Sequence, residues 1–265
     1  MLRLENVTKI FNRGLNPEDV KIALNDISID IEDGEFVTII GSNGSGKSTF
    51  LNVINGIHLV DKGKILIDNI DVTKMRDYKR SKYIGVVFQD PMQGTSANMS
   101  ILENLLIASR RTRASTLSWG FSKEKEKSFA AMLSRFNLGL EDRLNQRMGQ
   151  LSGGQRQAVT LLMATLESPK ILLLDEHTAA LDPKTAKTVL ELTDTIVKEN
   201  QLTTIMITHN MRDAIKYGNR LLMFNDGKIV YDVKDGEKKK LTIEDLLKKF
   251  DANNAVISDE MLLAK

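Results

Sequence analysis

Cysteine is absent from all 265 residues, so no disulfide framework or thiolate metal centre is available, and a reducing compartment is permitted. An excess of charge of one sign is missing as well. The 37 basic and 35 acidic residues leave a formal net charge of +2, which gives no global electrostatic reason to expect nucleic acid. No apolar run approaches the roughly eighteen residues of a membrane span, and Met1 to Ile10 carries charges where a signal peptide has its apolar core. Internal repeats and low-complexity tracts are also lacking. These absences predict a cytoplasmic chain with one set of motifs, whose membrane role, if any, comes through a partner. Hydrophobic content of 42% and charged content of 27% suit a soluble globular protein, and the length suits one domain carrying an insertion.

The most informative stretch is Gly41-Ser42-Asn43-Gly44-Ser45-Gly46-Lys47-Ser48-Thr49, between the apolar run Phe36 to Ile40 and the segment Phe50 to Asn55. It fits G-x-x-x-x-G-K-[ST], in which glycines let backbone N–H groups wrap phosphate oxygens, the lysine reaches the phosphates and a hydroxyl binds Mg²⁺. Here Gly44, Gly46, Lys47 and Ser48 take those parts. A strand before and a helix after also place the phosphates at a helix N-terminus, where unpaired N–H groups favour anions.

From Met1 to Asp71 short β-branched runs (Leu2 to Val7, Ile22 to Ile31, Lys64 to Ile67) predict strands, with turns at Asp33-Gly34 and Lys62-Gly63. Ile27, Ile29 and Ile31 alternate with polar residues, as in a half-buried antiparallel strand. Ile84 to Phe88 is continuously apolar, as for a covered strand. Helical periodicity replaces this pattern between Met92 and Gln150. Ser100 and Glu103 form a capping box, and Phe129, Met132, Leu133 and Phe136 share one helical face that ends near Gly139. Arg110, Arg111 and Arg113, near the lone Trp119, read as solvated charges at a helix end in preference to a nucleic-acid patch.

After Gln150 a helix with Ala158, Val159, Leu161 and Leu162 leads to the strand Ile171 to Leu174. Asp182-Pro183 starts a helix whose buried face is Ala186, Val189, Leu190, Thr193 and Val197, and the strand Thr203 to Thr208 follows. Such alternation implies right-handed crossovers and a parallel sheet with its ligand site at the carboxyl ends of the strands. Leu221 to Phe224 and Lys228 to Val233 read as a hairpin turning at Asn225-Asp226-Gly227. Lys238-Lys239-Lys240 reads as a solvated turn, ahead of a short amphipathic helix with Ile243, Leu246, Leu247 and Phe250.

Two further segments carry chemistry. Asp175 and Glu176 end a buried strand, where one carboxylate can hold Mg²⁺ through its water shell and the other can orient an attacking water. Leu151-Ser152-Gly153-Gly154-Gln155 opens a helix with glycine backbone and a serine hydroxyl, a second phosphate-recognition surface. One chain already has a phosphate cradle, so this surface is expected to serve the nucleotide held by a second copy.

These residues together resemble the ATP-binding subunit of ABC transporters, of the importer type, over Leu2 to about Val233. The resemblance implies a P-loop NTPase α/β core of mixed sheet with an N-terminal antiparallel β subdomain and an inserted α-helical subdomain. Residues 1–91 and 159–235 would form the core, 92–158 the helical subdomain and 236–265 a C-terminal extension. It makes Gly41 to Thr49 the Walker A loop, Ile171 to Asp175 Walker B, Glu176 the catalytic carboxylate, and Gln89 a Q-loop residue near Mg²⁺ and water that faces the membrane subunit. Ala179 to Asp182 would be the D-loop and His209 the switch histidine at the γ-phosphate. Metal contacts fall to Ser48, Gln89 and Asp175, and opposite-copy nucleotide contacts to Ser152, Gly153, Gly154 and Gln155. Phe11 stands where the family places an aromatic on adenine, with a core residue as the other reading.

His177 departs from the proline usual after the glutamate and is expected to be a solvated or supporting turn residue; His58 is expected to be structural. The implied cofactors are ATP and Mg²⁺. The implied partners are a second copy, integral membrane permease subunits and a substrate-binding protein, on the cytoplasmic face of the membrane and without nucleic acid. Gln89 to Asn98 and Asp175 to Thr178 resemble ATPases of tryptophan/tyrosine-type uptake systems, which points to an amino acid. The alternative is a soluble assembly ATPase of the iron–sulfur scaffold type.

Overall fold

The computed structural model describes residues 1–12, 20–111 and 122–252. β1 (Leu2–Phe11) and β2 (Lys21–Ile31) pair antiparallel, with Leu2 opposite Ile31 and Phe11 opposite Lys21. β3 (Phe36–Gly41) enters the phosphate loop and α1 (Lys47–Asn55), followed by β4 (Lys62–Ile67), the two-residue β5 (Ile70–Asp71), α2 (Asp77–Arg80) and β6 (Ile84–Val87). The helical stretch holds α3 (Ile101–Ala108), α4 (Lys123–Ser134) and α5 (Gly153–Thr165). Then come β7 (Ile171–Asp175), α6 (Pro183–Asn200), β8 (Thr203–Ile207), α7 (Met211–Lys216), β9 (Arg220–Asn225) and β10 (Lys228–Lys234). α8 (Asp235–Lys238) and α9 (Ile243–Ala252) end the described chain.

Two sheets result. A four-stranded antiparallel sheet has the order β2-β1-β4-β5, and a six-stranded sheet the order β10-β9-β3-β8-β7-β6, parallel except for β10. This is the expected mixed α/β core with an antiparallel layer. Every residue of β3 is buried, as a central parallel strand covered on both faces requires. In the six-stranded sheet Ile39 and Asp175 both lie opposite Ile207. That register brings the ends of β3, β7 and β8, and the loops that follow them, to one edge.

Local chemistry explains many of the element ends. Ser100 accepts from the Glu103 N–H while Glu103 accepts from Ser100, and Ser152 and Gln155 do the same ahead of α5. Asp182 Oδ1 accepts from Thr185 N–H at 3.1 Å, with Pro183 opening α6. Asp226 (φ 45°) and Gly227 (φ 73°) make the left-handed pair that a two-residue hairpin needs. Buried Arg80 donates from Nη1 to the carbonyls of Val53 (2.6 Å) and Ile54 (2.7 Å), closing the C-terminal end of α1. Burial lowers its guanidinium to about 10.

The helical stretch builds its own core from Ile101, Leu105, Phe129, Leu133, Leu140 and Met148, while Leu161 and Ala164 of α5 pack into the sheet core. α5 therefore joins the two cores.

Several expectations are corrected. Lys62-Gly63 is not a turn but the start of β4, where the β1–β4 register shifts between Glu5 and Thr8. Gly63 has φ 86°, and a Cβ there would lie 2.4 Å from the carbonyl oxygens of Glu5 and Asn6, so the glycine serves a bulge. α4 ends at Ser134, before Phe136 and Gly139, and Met132 stays exposed. Ala186 is half-buried while Val189, Leu190, Thr193 and Val197 are buried as expected. Arg111 is not fully solvated: it is half-buried, its Nη2 lies 3.4 Å from Ala164 O, and burial lowers its guanidinium. Lys238 is buried, and its Nζ donates to the carbonyls of Tyr217 and Gly218 at the end of α7. Arg113, Trp119 and the chain after Ala252 lie outside the described residues.

Candidate functional site

The turn from β3 into α1 is set by glycine. Gly46 has φ 109°, and a Cβ on it would meet the Ala23 carbonyl oxygen at 2.5 Å. Only glycine lets the loop lie this close to β2. Gly46 is also the N-cap of α1 and has no side chain to offer the first-turn N–H groups, which leaves them to an anion. Lys47 is buried, and its Nζ donates to the carbonyls of Gly41 (2.7 Å) and Ser42 (2.9 Å), which folds the ammonium across the loop. Ser45 Oγ is buried with no hydrogen-bond partner among the described residues.

At the neighbouring strand ends, His209 Nε2 lies 2.6 Å from Glu176 Oε1, with both side chains mostly enclosed. Glu176 adopts φ 47°, a left-handed conformation uncommon for a residue with a side chain, while its N–H donates to Ile207 O at 3.2 Å. His209 Nδ1 is buried without a partner among the described residues. The Asp175 carboxyl is pushed up to about 6, first by burial and then by the Glu176 charge, against the pull of Lys47 and His209. Burial and the neighbouring carboxylate both penalise the Asp175 charge, a penalty that a nearby cation relieves. Among the described residues no group of three or more His, Cys, Asp or Glu could hold a metal by itself. The donor set fits an ion such as Mg²⁺, which keeps waters and phosphate oxygens and takes one or two protein ligands.

A cleft of about 190 Å³ opens over the loop, lined by Asn43, Gly44, Gly46, Lys47, Ser48 and Thr49. Phe11, Lys21, Ala23 and Glu176 complete its described lining. Phe11 is half-buried and lines the cleft. His58 meets its ring edge-on at 5.1 Å, and Lys9 Nζ stands 5.3 Å from its centroid, held by Leu59 O (2.9 Å) and Asp61 (3.4 Å). Burial, then Lys9, lowers the His58 imidazole.

Not every expected residue comes together. Exposed Gln89 and the residues Ser152, Gly153, Gly154 and Gln155 are outside this lining. Ser152 and Gly153 are exposed at the tip of α5, while a Cβ on Gly154 would strike Thr185 Cγ2 at 2.0 Å. Of the two readings of His177 the solvated one is overturned and the supporting one fits: it sits in the turn after β7, buried and outside the cleft's lining. Only 2% exposed, it places Nε2 3.2 Å from Thr193 Oγ1 of α6, and burial lowers its imidazole to about 4. Lys21 and Ala23 were not foreseen; the signal for Lys21 is its pairing with Phe11 across the β1–β2 ladder.

A larger open depression of about 760 Å³ lies beside Arg3, Asp30, Arg220, Asp232 and Lys234. Its cations are already paired, Arg3 with Asp30 (2.7 Å), Arg220 with Asp232 (2.6 Å) and Lys234 with Glu35 (2.7 Å).

A family model described as "ABC transporter" matches residues 24–179. The chain is 46% identical over 252 residues to a tyrosine transport ATP-binding protein of Clostridioides difficile (strain R20291), covering 95% of this chain and 99% of that one. It is 33% identical to a phosphonates import ATP-binding protein of Lactococcus lactis subsp. cremoris (strain SK11), over 94% and 99% of the two chains. Among solved structures it resembles an ATP-binding cassette in a dimeric post-hydrolysis state bound to ADP and Pi, with TM-score 0.74 and 33% identity over 88% of this chain and 98% of that one.

Proposed function

We propose, from the premise that the chain belongs to the ABC transporter family, that the cleft at the sheet edge is one half of an ATP site that a second copy completes. The chain is an ATP-binding and ATP-hydrolysing subunit that powers import, with ATP and Mg²⁺ as cofactors, and it works as a pair of copies with membrane permease partners. The tyrosine and phosphonate transport relatives give the assembly-ATPase alternative no support.

The reaction is ATP + H₂O → ADP + phosphate: water attacks the γ-phosphorus, and the bond to the bridging oxygen breaks with its electron pair leaving on ADP. Such transfer depends on positioning and charge stabilisation. Asn43 to Thr49, with Gly41 and Ser42 beneath, cradle the phosphates by backbone N–H groups, and Lys47 adds its ammonium. Phe11 stacks on adenine. Ser48, Asp175 and Gln89 would hold Mg²⁺, which would supply positive charge against the phosphates. Glu176 orients and polarises the water, and His209 fixes Glu176. Ser152, Gly153, Gly154 and Gln155 of the second copy close the site from the other side. The observation that carries this assignment is the 2.6 Å Glu176–His209 contact at the mouth of the lysine-bearing loop.

Residues 92–158 act as a helical subdomain that moves with closure, hinged beside Gln89, where Gln157 Nε2 donates to Phe88 O at 3.1 Å. Residues 1–91 and 159–235 form the core, and 236–265 an extension. The chain sits on the cytoplasmic face of the membrane, bound to its permease; among the described residues no helix is long and apolar enough to cross a membrane. A substrate-binding protein delivers the solute.

The solute is an amino acid of the tyrosine type, supported by the identity that runs almost end to end with the tyrosine transport relative. The test is uptake of labelled tyrosine in cells lacking the chain. Uptake restored by the wild type but not by Glu176→Gln supports the reading; uptake untouched by loss of the chain contradicts it.

A further inference from the structure

We propose that Lys21 is a second phosphate-binding cation of the nucleotide site, acting on a phosphate common to ATP and ADP. The proposal rests on the ATP site described above and extends it to a residue outside the phosphate loop.

Three observations carry it. Lys21 lies directly opposite Phe11 in the antiparallel β1–β2 pair, and residues so paired project from the same face of a sheet. Phe11 and Lys21 accordingly line the same cleft. The Lys21 ammonium also reaches the phosphate loop itself: Nζ lies 3.4 Å from the place a Cβ on Gly44 would occupy. Lastly, the side chain is exposed and makes no hydrogen bond or ion pair with any described residue. The neighbouring cations differ, Lys9 being tied to Leu59 and Asp61 and Lys47 to Gly41 and Ser42. An ammonium standing between the base platform and the loop apex therefore meets the phosphate chain near its nucleoside end. A phosphate oxygen at that place accepts a charge-assisted hydrogen bond. A contact made alike in substrate and product is uniform binding, which changes affinity and leaves the chemical step alone.

The test is calorimetric titration of the full chain with Mg-ATP and with Mg-ADP, in wild type, Lys21→Met and Lys21→Arg. Lys21→Met is expected to weaken both nucleotides equally, by about three- to tenfold at low salt, with a smaller loss at high salt. Lys21→Arg is expected to retain most of the affinity, kcat to stay unchanged in both variants, and the melting temperature to stay unchanged because the side chain is exposed. Equal affinities for wild type and Lys21→Met overturn the proposal while leaving the ATP site standing. A loss confined to ATP, or a fall in kcat, also overturns it. Failure of the wild type to bind either nucleotide would instead overturn the site on which it depends.

Discussion

His209 Nε2 stands 2.6 Å from Glu176 Oε1, joining the second residue after β8 to the first residue after β7 across the edge of the parallel sheet. The two side chains therefore act as one unit, and their losses should not add. Glu176→Gln is predicted to keep Mg-ATP binding and to lower turnover by about 10²–10³-fold. His209→Ala should fall in the same direction, and the double variant should be little worse than the worse single one. Phosphate release measured on all three checks this; a double variant showing the product of the two losses would mean independent roles.

The phosphate loop tolerates no side chain at Gly46, because a Cβ would lie 2.5 Å from Ala23 O and φ is 109°. Gly46→Ala is predicted to destabilise the fold by about 1–3 kcal/mol and to abolish ATP binding. Urea denaturation and nucleotide titration together check it. Lys47→Ala should lose ATP affinity with less damage to the fold, and unchanged affinity would count against the cradle.

The buried His177 leads to a different prediction, about stability and not catalysis. Thr193 Oγ1 donates its one hydrogen to Val189 O at 2.8 Å, so His177 Nε2, 3.2 Å away, must carry the hydrogen between them. Thr193→Val leaves that buried N–H unpaired and is predicted to cost about 1–3 kcal/mol, with no change in KM for ATP. Denaturant midpoints and steady-state kinetics test both parts.

Much of the frame was legible because it is written locally. The pairs Ser100–Glu103 and Ser152–Gln155, Asp182 ahead of Pro183, and Asp226-Gly227 each act within four residues of chain, so their spacing carries the structure. The loop from Gly41 to Thr49 was legible for the same reason. What escaped is tertiary. His177 is buried by α6, Gly63 faces the carbonyls of β1, and Lys238 turns inward to Tyr217 and Gly218; no spacing in their own neighbourhoods shows these partners. Lys21 was missed because its significance lies in what it pairs with across the ladder.

Lys238 gives the fold a pH dependence of known sign. Burial lowers its ammonium from the usual 10.5 to about 7 in the folded chain. Below pH 7 both folded and unfolded chains hold the proton and the cost of burying the charge is fully present. Between pH 7 and 10.5 the unfolded chain holds a proton that the folded chain has released, so stability rises with pH by up to about 1.4 kcal/mol per unit. Lys238→Met removes this contribution. Denaturation of both forms across pH 6 to 10 should show the wild type gaining on the variant through about that window. A constant difference would show that Lys238 keeps an ordinary ammonium.

The central claim is that two copies grip one nucleotide, the cradle of one facing the Ser152 tip of the other. Its most direct measurement is the sedimentation mass of the Glu176→Gln chain in saturating Mg-ATP. The mass of two copies is predicted, falling to one copy when Ser152→Arg is added. A chain that binds ATP yet keeps the mass of a single copy under those conditions would contradict it.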